Sequence, residues 1–572
     1  MKITRGIRGA AAGVLSLLSI AATSASAAKE AEPRPEPVRS TSRTADVPVA
    51  ADARNQPRAR LPRESATEAV SRGTIAGPTT AAGPPATPVA PATVRARPRF
   101  DMDGDGRDEL VVGASASPGG FVLHVRYSGS SRQEILTAPA IAEPRHRLAH
   151  QFTAGDFNGD GFQDLAVASS RMLAQGVFEN GIFVYDGGSG GLDRSNVKYL
   201  PGLHVGAIAA GDLDNDGRDD LAVSDGGATP DRDGPFRGSV TVLSGTEDGL
   251  TRDGAVELRQ VVPRWQGLVE EEFGTQLVIG DSTGDGYDDL VVSGFRRGTT
   301  ESDRHGIVTL FPGSVGGPSV AGVTKIEGQR DTPGHTLQVD VMVLSDLDQD
   351  GRADLVLGVP RTSGGLVIYL RGASSGLTWA GHRVIDQETP GVPGEVDDDP
   401  TGGLFGYSLA TGDATGDGIP DLLVGAMTMT VGTVQDAGSV TLIPGTPAGP
   451  TGAGSFVYTQ NAVGSIRRAG AGVMNDRPEP NDYLGSSVAI LDLDGTGPLE
   501  MFAESKYEDM WQQAPGEPYG LITTLRLDGP RNLRGTPQAH WLRLVAVRQQ
   551  RPADFPDPDV RIVHFGYRLL GG

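Results

Sequence analysis

From about residue 99 onward, apolar positions fall into short runs separated by segments rich in Asp, Gly and Pro. One set of runs follows acidic segments directly: Leu110-Val111-Val112, Leu165-Ala166-Val167, Leu290-Val291-Val292 and Leu422-Leu423-Val424. A second set, alternating or apolar, occupies residues 121–127, 182–185, 239–243, 307–311, 366–370, 439–443 and 521–527. No stretch sustains a 3.6-residue apolar period, so the pattern predicts an all-β chain with almost no helix.

The acidic segments are copies of one another, which makes the chain a repeat protein. Seven copies place side-chain oxygens at positions 1, 3 and 5, glycine at 6 and a carboxylate at 9. They begin with Asp101, Asp103, Asp105, Gly106, Glu109 and continue with Asp156, Asn158, Asp160, Gly161, Asp164. The third is Asp212, Asp214, Asp216, Gly217, Asp220; the fourth is Asp281, Thr283, Asp285, Gly286, Asp289. Asp346, Asp348, Asp350, Gly351, Asp354 and Asp413, Thr415, Asp417, Gly418, Asp421 follow. The last copy, Asp492, Asp494, Thr496, Gly497, Glu500, has lost its position-5 carboxylate.

Successive copies start 55, 56, 69, 65, 67 and 79 residues apart, room for four short strands each. That spacing predicts a seven-bladed β-propeller over residues 99–572. Several first strands open on an aromatic-glycine pair, Phe273-Gly274 and Phe405-Gly406, with Leu484-Gly485 a weaker version. A further pair, Phe565-Gly566, ends the chain without an acidic loop after it, while the loop at Asp101 has little strand before it. The C-terminal strand is therefore expected to complete blade one and close the ring, removing an exposed edge.

Oxygen donors at positions 1, 3 and 5 of a tight loop suit a hard cation such as Ca²⁺, with a position-7 carbonyl and the position-9 carboxylate completing the shell. An EF-hand would need a glutamate at position 12, where this chain has Val112, Val167, Val223, Val292, Leu357, Val424 and Ala503. A plain Asp/Gly turn explains any single copy, but not seven phased sets of mutually repelling carboxylates. Up to seven Ca²⁺ sites are expected, the last in question because of Thr496. Copies with four carboxylates, at Asp212 and Asp346, should bind more tightly than those carrying Thr283 or Thr415.

The order Phe-Gly, Gly-Asp, Asp-Gly, Asp-Leu and a small-residue strand end, clearest from Phe405 to Ala426, resembles the FG-GAP repeat. That repeat, also described as VCBS or integrin-like, builds the integrin α-subunit propeller and many secreted bacterial proteins. The resemblance implies structural Ca²⁺ between the first two strands of a blade, on the face away from the integrin ligand site.

Residues 1–27 read as a signal peptide: basic Lys2, Arg5 and Arg8, apolar residues 10–22, then Ala25-Ser26-Ala27. Residues 28–98, rich in Pro, Ala and Thr, read as a disordered linker, a spacer or a tether to the cell envelope. No later run is long enough to span a membrane. The first 98 residues carry 14 basic and 7 acidic side chains, so the total of −22 leaves −29 on the remainder. Such acidity argues against nucleic acid as a partner. The absence of cysteine removes disulfides and thiolate chemistry.

Catalytic motifs are weak. Gly280-Asp281-Ser282-Thr283-Gly284 matches the hydrolase pattern Gly-x-Ser-x-Gly but lies inside acidic loop four. His146 and His150 have helical metal-ligand spacing without a helix around them. The acidic runs 270–272 and 395–399 read as solvated insertion loops, and Trp265, Trp379, Trp511 and Trp541 as inter-blade packing. The sequence thus predicts a secreted or envelope-associated, monomeric binding or adhesion module for an extracellular protein or glycan, not an enzyme. A secreted esterase- or phospholipase-like hydrolase on a propeller scaffold and a purely structural envelope protein are the alternatives.

Overall fold

The computed structural model describes residues 100–569, apart from 118–119, 131, 140–145, 175–176, 227–235, 260–269, 298–303, 329–336, 363, 394–401, 461–477, 479, 507–520, 528–543 and 551–560. The predicted leader and linker, the acidic run 395–399, and Trp265, Trp511 and Trp541 lie outside the described residues.

The described chain is all-β, and its sheets are antiparallel and mostly four-stranded. Repeat 6 shows the plan: Gly403–Gly412, Asp421–Thr428, Ser439–Ile443 and Phe456–Tyr458 pair in sequence order. Repeats 3, 5 and 7 form four-stranded sheets likewise, and repeat 4 adds the short strand Phe236–Arg237 in parallel. Repeats 1 and 2 are joined into one eight-stranded sheet through a single pair, Phe121 opposite Leu148. The C-terminal strand Arg561–Leu569 pairs antiparallel with Leu110–Ser117, placing Gly113 opposite Arg568.

The acidic run at Glu270 is not an insertion loop: Glu270–Gly280 is one strand. Glu270 and Glu271 stand opposite Arg297 and Arg296 in the register.

The apolar runs after the acidic loops are continuous because each second strand is buried on both faces. Leu422 and Val424 join a cluster with Val356, Val367 and Phe405, whereas Leu423 joins Val488, Ile490 and Met501. Alternate side chains thus feed the interface with the preceding and the following sheet. Each of the seven buried clusters among the described residues draws on two neighbouring repeats. One cluster packs Ala489, Leu491 and Phe502 of repeat 7 against Leu110, Val112 and Val122 of repeat 1.

The aromatic-glycine pairs have a geometric cause. Gly406 sits at φ 89°, where a side chain is strained, and a Cβ there would lie 2.6 Å from the Leu366 carbonyl of the preceding repeat. Phe405 beside it is fully buried. Glycine lets the first strand bulge onto the neighbouring sheet while phenylalanine fills the gap between them.

First strands of several repeats share one space. A cavity of about 440 Å³ is lined by Gln151 of repeat 2, Gln276 of repeat 4, Asp340 of repeat 5, Tyr407 of repeat 6 and Ser487 of repeat 7.

Candidate metal centres

The seven acidic loops fold alike, each held by its own carboxylates. In repeat 1 the Asp101 carboxylate accepts N–H bonds from Gly104 at 2.6 Å, Asp105 at 3.1 Å and Gly106 at 2.9 Å. Asp103 then accepts from Asp105, and Asp105 from Arg107. The same chain of turns recurs at Asp156, Asp281 and Asp413. Position 6 has positive φ in all seven, 76° to 91°. So does position 4, even where it is Asn215 or Gln349, both at 57°. A left-handed residue aims successive N–H groups at one carboxylate, which is why these positions favour Gly or Asn.

Position 9 has structural work that spacing did not reveal. Asp164 accepts from Phe157 N–H at 3.1 Å and from Gly187 N–H, beyond the third strand, at 2.8 Å. Asp220, Asp289 and Asp354 repeat both bonds. Asp421 keeps the bond from beyond the third strand, from Gly445 N–H, and takes its other from Thr415 N–H, one position later in the loop. Burial, partly offset by these bonds, pushes Asp164 up to about 8 and Asp220, Asp354 and Asp421 up to about 7. The position-9 carboxylate is therefore a structural knot as well as a candidate ligand.

Position 8 links one loop to the one before. The N–H groups of Gln163, Asp219, Asp288, Ala353 and Leu499 donate to the position-1 carbonyls of Asp101, Asp156, Asp212, Asp281 and Asp413, and Asp108 donates to Asp492. At the remaining joint position 8 is Pro420, which has no N–H. There the Gln349 side-chain amide donates instead to the Gly418 carbonyl.

Four loops bring carboxylates together. One oxygen each from Asp101, Asp103, Asp105 and Glu109 lie within 4.8 Å of one another, as do those of Asp212, Asp214 and Asp216. Asp346, Asp348 and Asp354 form a third group and Asp492, Asp494 and Glu500 a fourth. The loops holding Asp156, Asn158, Asp160 and Asp164, Asp281, Thr283, Asp285 and Asp289, and Asp413, Thr415, Asp417 and Asp421 form no such group; position 3 there is Asn or Thr.

Repeat 1 fits a divalent cation best. Glu109 is fully buried, and one of its oxygens lies within 4.8 Å of an oxygen of each of Asp101, Asp103 and Asp105. Burial and the neighbouring Asp103 and Asp101 push Glu109 up to about 8. A hard cation held among these oxygens would offset the buried charge and remove the repulsion.

The other sequence candidates resolve differently. Ser282 is buried and its Oγ donates to Asp289 at 2.9 Å, so it serves the loop. His146 and His150 lie on strand His146–Gly155, where four residues span roughly 13 Å. His146 packs edge-on against Tyr199 and His150 against Phe121. Trp379 packs against the cluster between repeats 4 and 5, as expected.

Residues 101–167 and 156–223 match the FG-GAP-like repeat, and residues 405–443 match the FG-GAP repeat. The chain is 29% identical to integrin alpha-7 of Mus musculus over 179 residues, covering 31% of this chain and 14% of that protein. It is 27% identical to integrin alpha-IIb of Homo sapiens over 253 residues, 41% of this chain and 21% of that one. Against integrin alpha-4 of Xenopus laevis it is 31% identical over 183 residues, 30% and 17%. The chain thus carries FG-GAP repeats with acidic loop clusters and is distantly similar to a minor part of the integrin alpha chains.

Proposed function

We propose that this chain is a calcium-binding propeller of seven blades, closed through its C-terminal strand, that binds an extracellular protein or glycan. Closure is supported by the pairing of Arg561–Leu569 with Leu110–Ser117 and by the shared core of repeats 7 and 1. The extracellular setting rests on residues 1–27, and calcium on the repeat-1 donor set with its buried Glu109.

The observation that carries the binding role is a contrast between the two ends of the sheets. In repeats 2 to 7 the connection from first to second strand is always eight residues, the acidic loop. Antiparallel order sends the connections from fourth strand to next first strand to the opposite end. Those vary from 5 residues, between Pro201 and Ala207, to 25, between Tyr458 and Leu484. A fixed loop that suits cations and variable connections at the opposite end of a rigid scaffold is the division expected of a recognition module. The cavity lined by Gln151, Gln276 and Tyr407 lies about midway along the first strands.

Arrays of extracellular matrix proteins and of glycans, probed with the full chain, test this reading. Specific retention that falls when residues 462–476 are replaced by a short Gly-Ser segment supports it. No retention on either array, or retention indifferent to every variable connection, contradicts it.

A further inference from the structure

Repeat 5 departs from its siblings at two positions, one in its third strand, Leu366–Leu370, and one just after it, and both changes land on the acidic loop. The residue just before the glycine that binds position 9 is Arg371, where repeats 2, 3, 4 and 6 carry Asp186, Ser244, Pro312 and Pro444. Two residues earlier stands Tyr369, where the same repeats carry Val184, Val242, Leu310 and Leu442.

The Arg371 guanidinium bridges two of the loop's carboxylates, with Nε 2.6 Å from Asp348 Oδ2 and Nη2 3.1 Å from Asp350 Oδ2. The buried Tyr369 hydroxyl donates to Asp354 Oδ2 at 3.0 Å and lies 3.4 Å from Asp348 Oδ2. Arg352 Nη1 also lies 3.4 Å from Asp350 Oδ2. The oxygens of positions 3, 5 and 9 that remain after the loop's own turns are therefore engaged by protein donors. In repeat 1 the buried Glu109 Oε1 has none. Asp350 is also missing from the converging group of its loop, whereas Asp105 belongs to that of repeat 1.

We propose that Arg371 is the resident cation of repeat 5, so that this loop, despite its four carboxylates, does not take calcium at concentrations that fill the loop of repeat 1. A guanidinium presents two N–H groups to two carboxylates at once and cannot be deprotonated. Calcium would have to displace it and also compete with Tyr369. This reverses for repeat 5 the ranking by carboxylate number alone, and it deepens the calcium reading, on which it rests.

Native mass spectrometry of the full chain, at fixed free Ca²⁺, counts bound ions directly. Asp103→Asn is expected to remove one ion, Asp348→Asn none, and Arg371→Gln to add one. Loss of an ion in Asp348→Asn, or an unchanged count in Arg371→Gln, overturns the proposal while leaving the calcium reading intact. Should Arg371→Gln fail to fold, Arg371→Met, which keeps the aliphatic stem and removes the charge, is expected to give the same count. A wild-type chain that binds no calcium at all overturns both.

Discussion

Asp108 and Asp492, 384 residues apart, hold each other by two reciprocal bonds: Asp108 N–H donates to the Asp492 carbonyl at 2.8 Å, and Asp492 N–H donates to Asp108 Oδ2 at 2.8 Å. Asp219 makes the same pair of bonds with Asp156, at 2.9 and 2.8 Å. The joint between the last acidic loop and the first is thus built like one between loops adjacent in sequence.

Asp108→Ala should cost about 1–3 kcal/mol, because it strips acceptors from the N–H groups of both Asp492 and Phe100. Denaturant unfolding checks this, with Asp219→Ala as the internal comparison. Near-equal losses are expected; a silent Asp108→Ala beside a costly Asp219→Ala would mean the two ends of the chain are not joined in solution.

Gly406→Ala and Gly432→Ala separate backbone strain from collision. Both glycines have positive φ, 89° and 66°, but a Cβ at 432 meets nothing within 4 Å. Gly432→Ala should cost roughly 1 kcal/mol from strain alone. Gly406→Ala should cost about 1–3 kcal/mol more, since the Leu366 carbonyl must move. Equal melting temperatures would contradict the close approach between sheets.

Glu504 gives a pH dependence away from the acidic loops. Its carboxyl is buried and raised well above its ordinary value by desolvation, with one bond from Ser486 Oγ at 2.9 Å. The folded chain therefore keeps the proton after the unfolded chain has lost it. Stability from this group is full below the ordinary carboxyl range near 4.5 and declines as pH rises toward the raised folded value. Glu504→Gln should flatten that decline and raise stability at neutral pH by about 1.4 kcal/mol for each unit of the window crossed. Urea titrations at pH 4.5, 6 and 7.5 measure it; parallel wild-type and variant curves would contradict it.

Much of this was legible in the sequence, and what was not has physical reasons. Loop spacing and the runs after each loop gave the strand order, because Leu422, Leu423 and Val424 are apolar on both faces of their strand. Position 4 was passed over because Asn215 and Gln349 break the glycine pattern while keeping its backbone angle. The reciprocal bonds of Asp108 and Asp492 join residues far apart in the chain, and no local pattern announces them. Arg371 and Tyr369 look like ordinary residues until the third strand is laid beside the loop of Asp348. The acidic run at Glu270 reads as a loop in sequence because no local pattern shows that residues 270–272 pair with residues 295–297 across the ladder.

The central claim is that the acidic loops are cation sites of the folded state. Calorimetric unfolding of the full chain, in excess Ca²⁺ and in chelator, tests it most directly, because a ligand bound only by the folded chain must raise its stability. One site held at a hundred times its dissociation constant adds about 2.7 kcal/mol, so several filled loops predict a melting temperature higher by many degrees with calcium. Identical melting curves in calcium and chelator would contradict the account and leave the loops as turns held by their own hydrogen bonds.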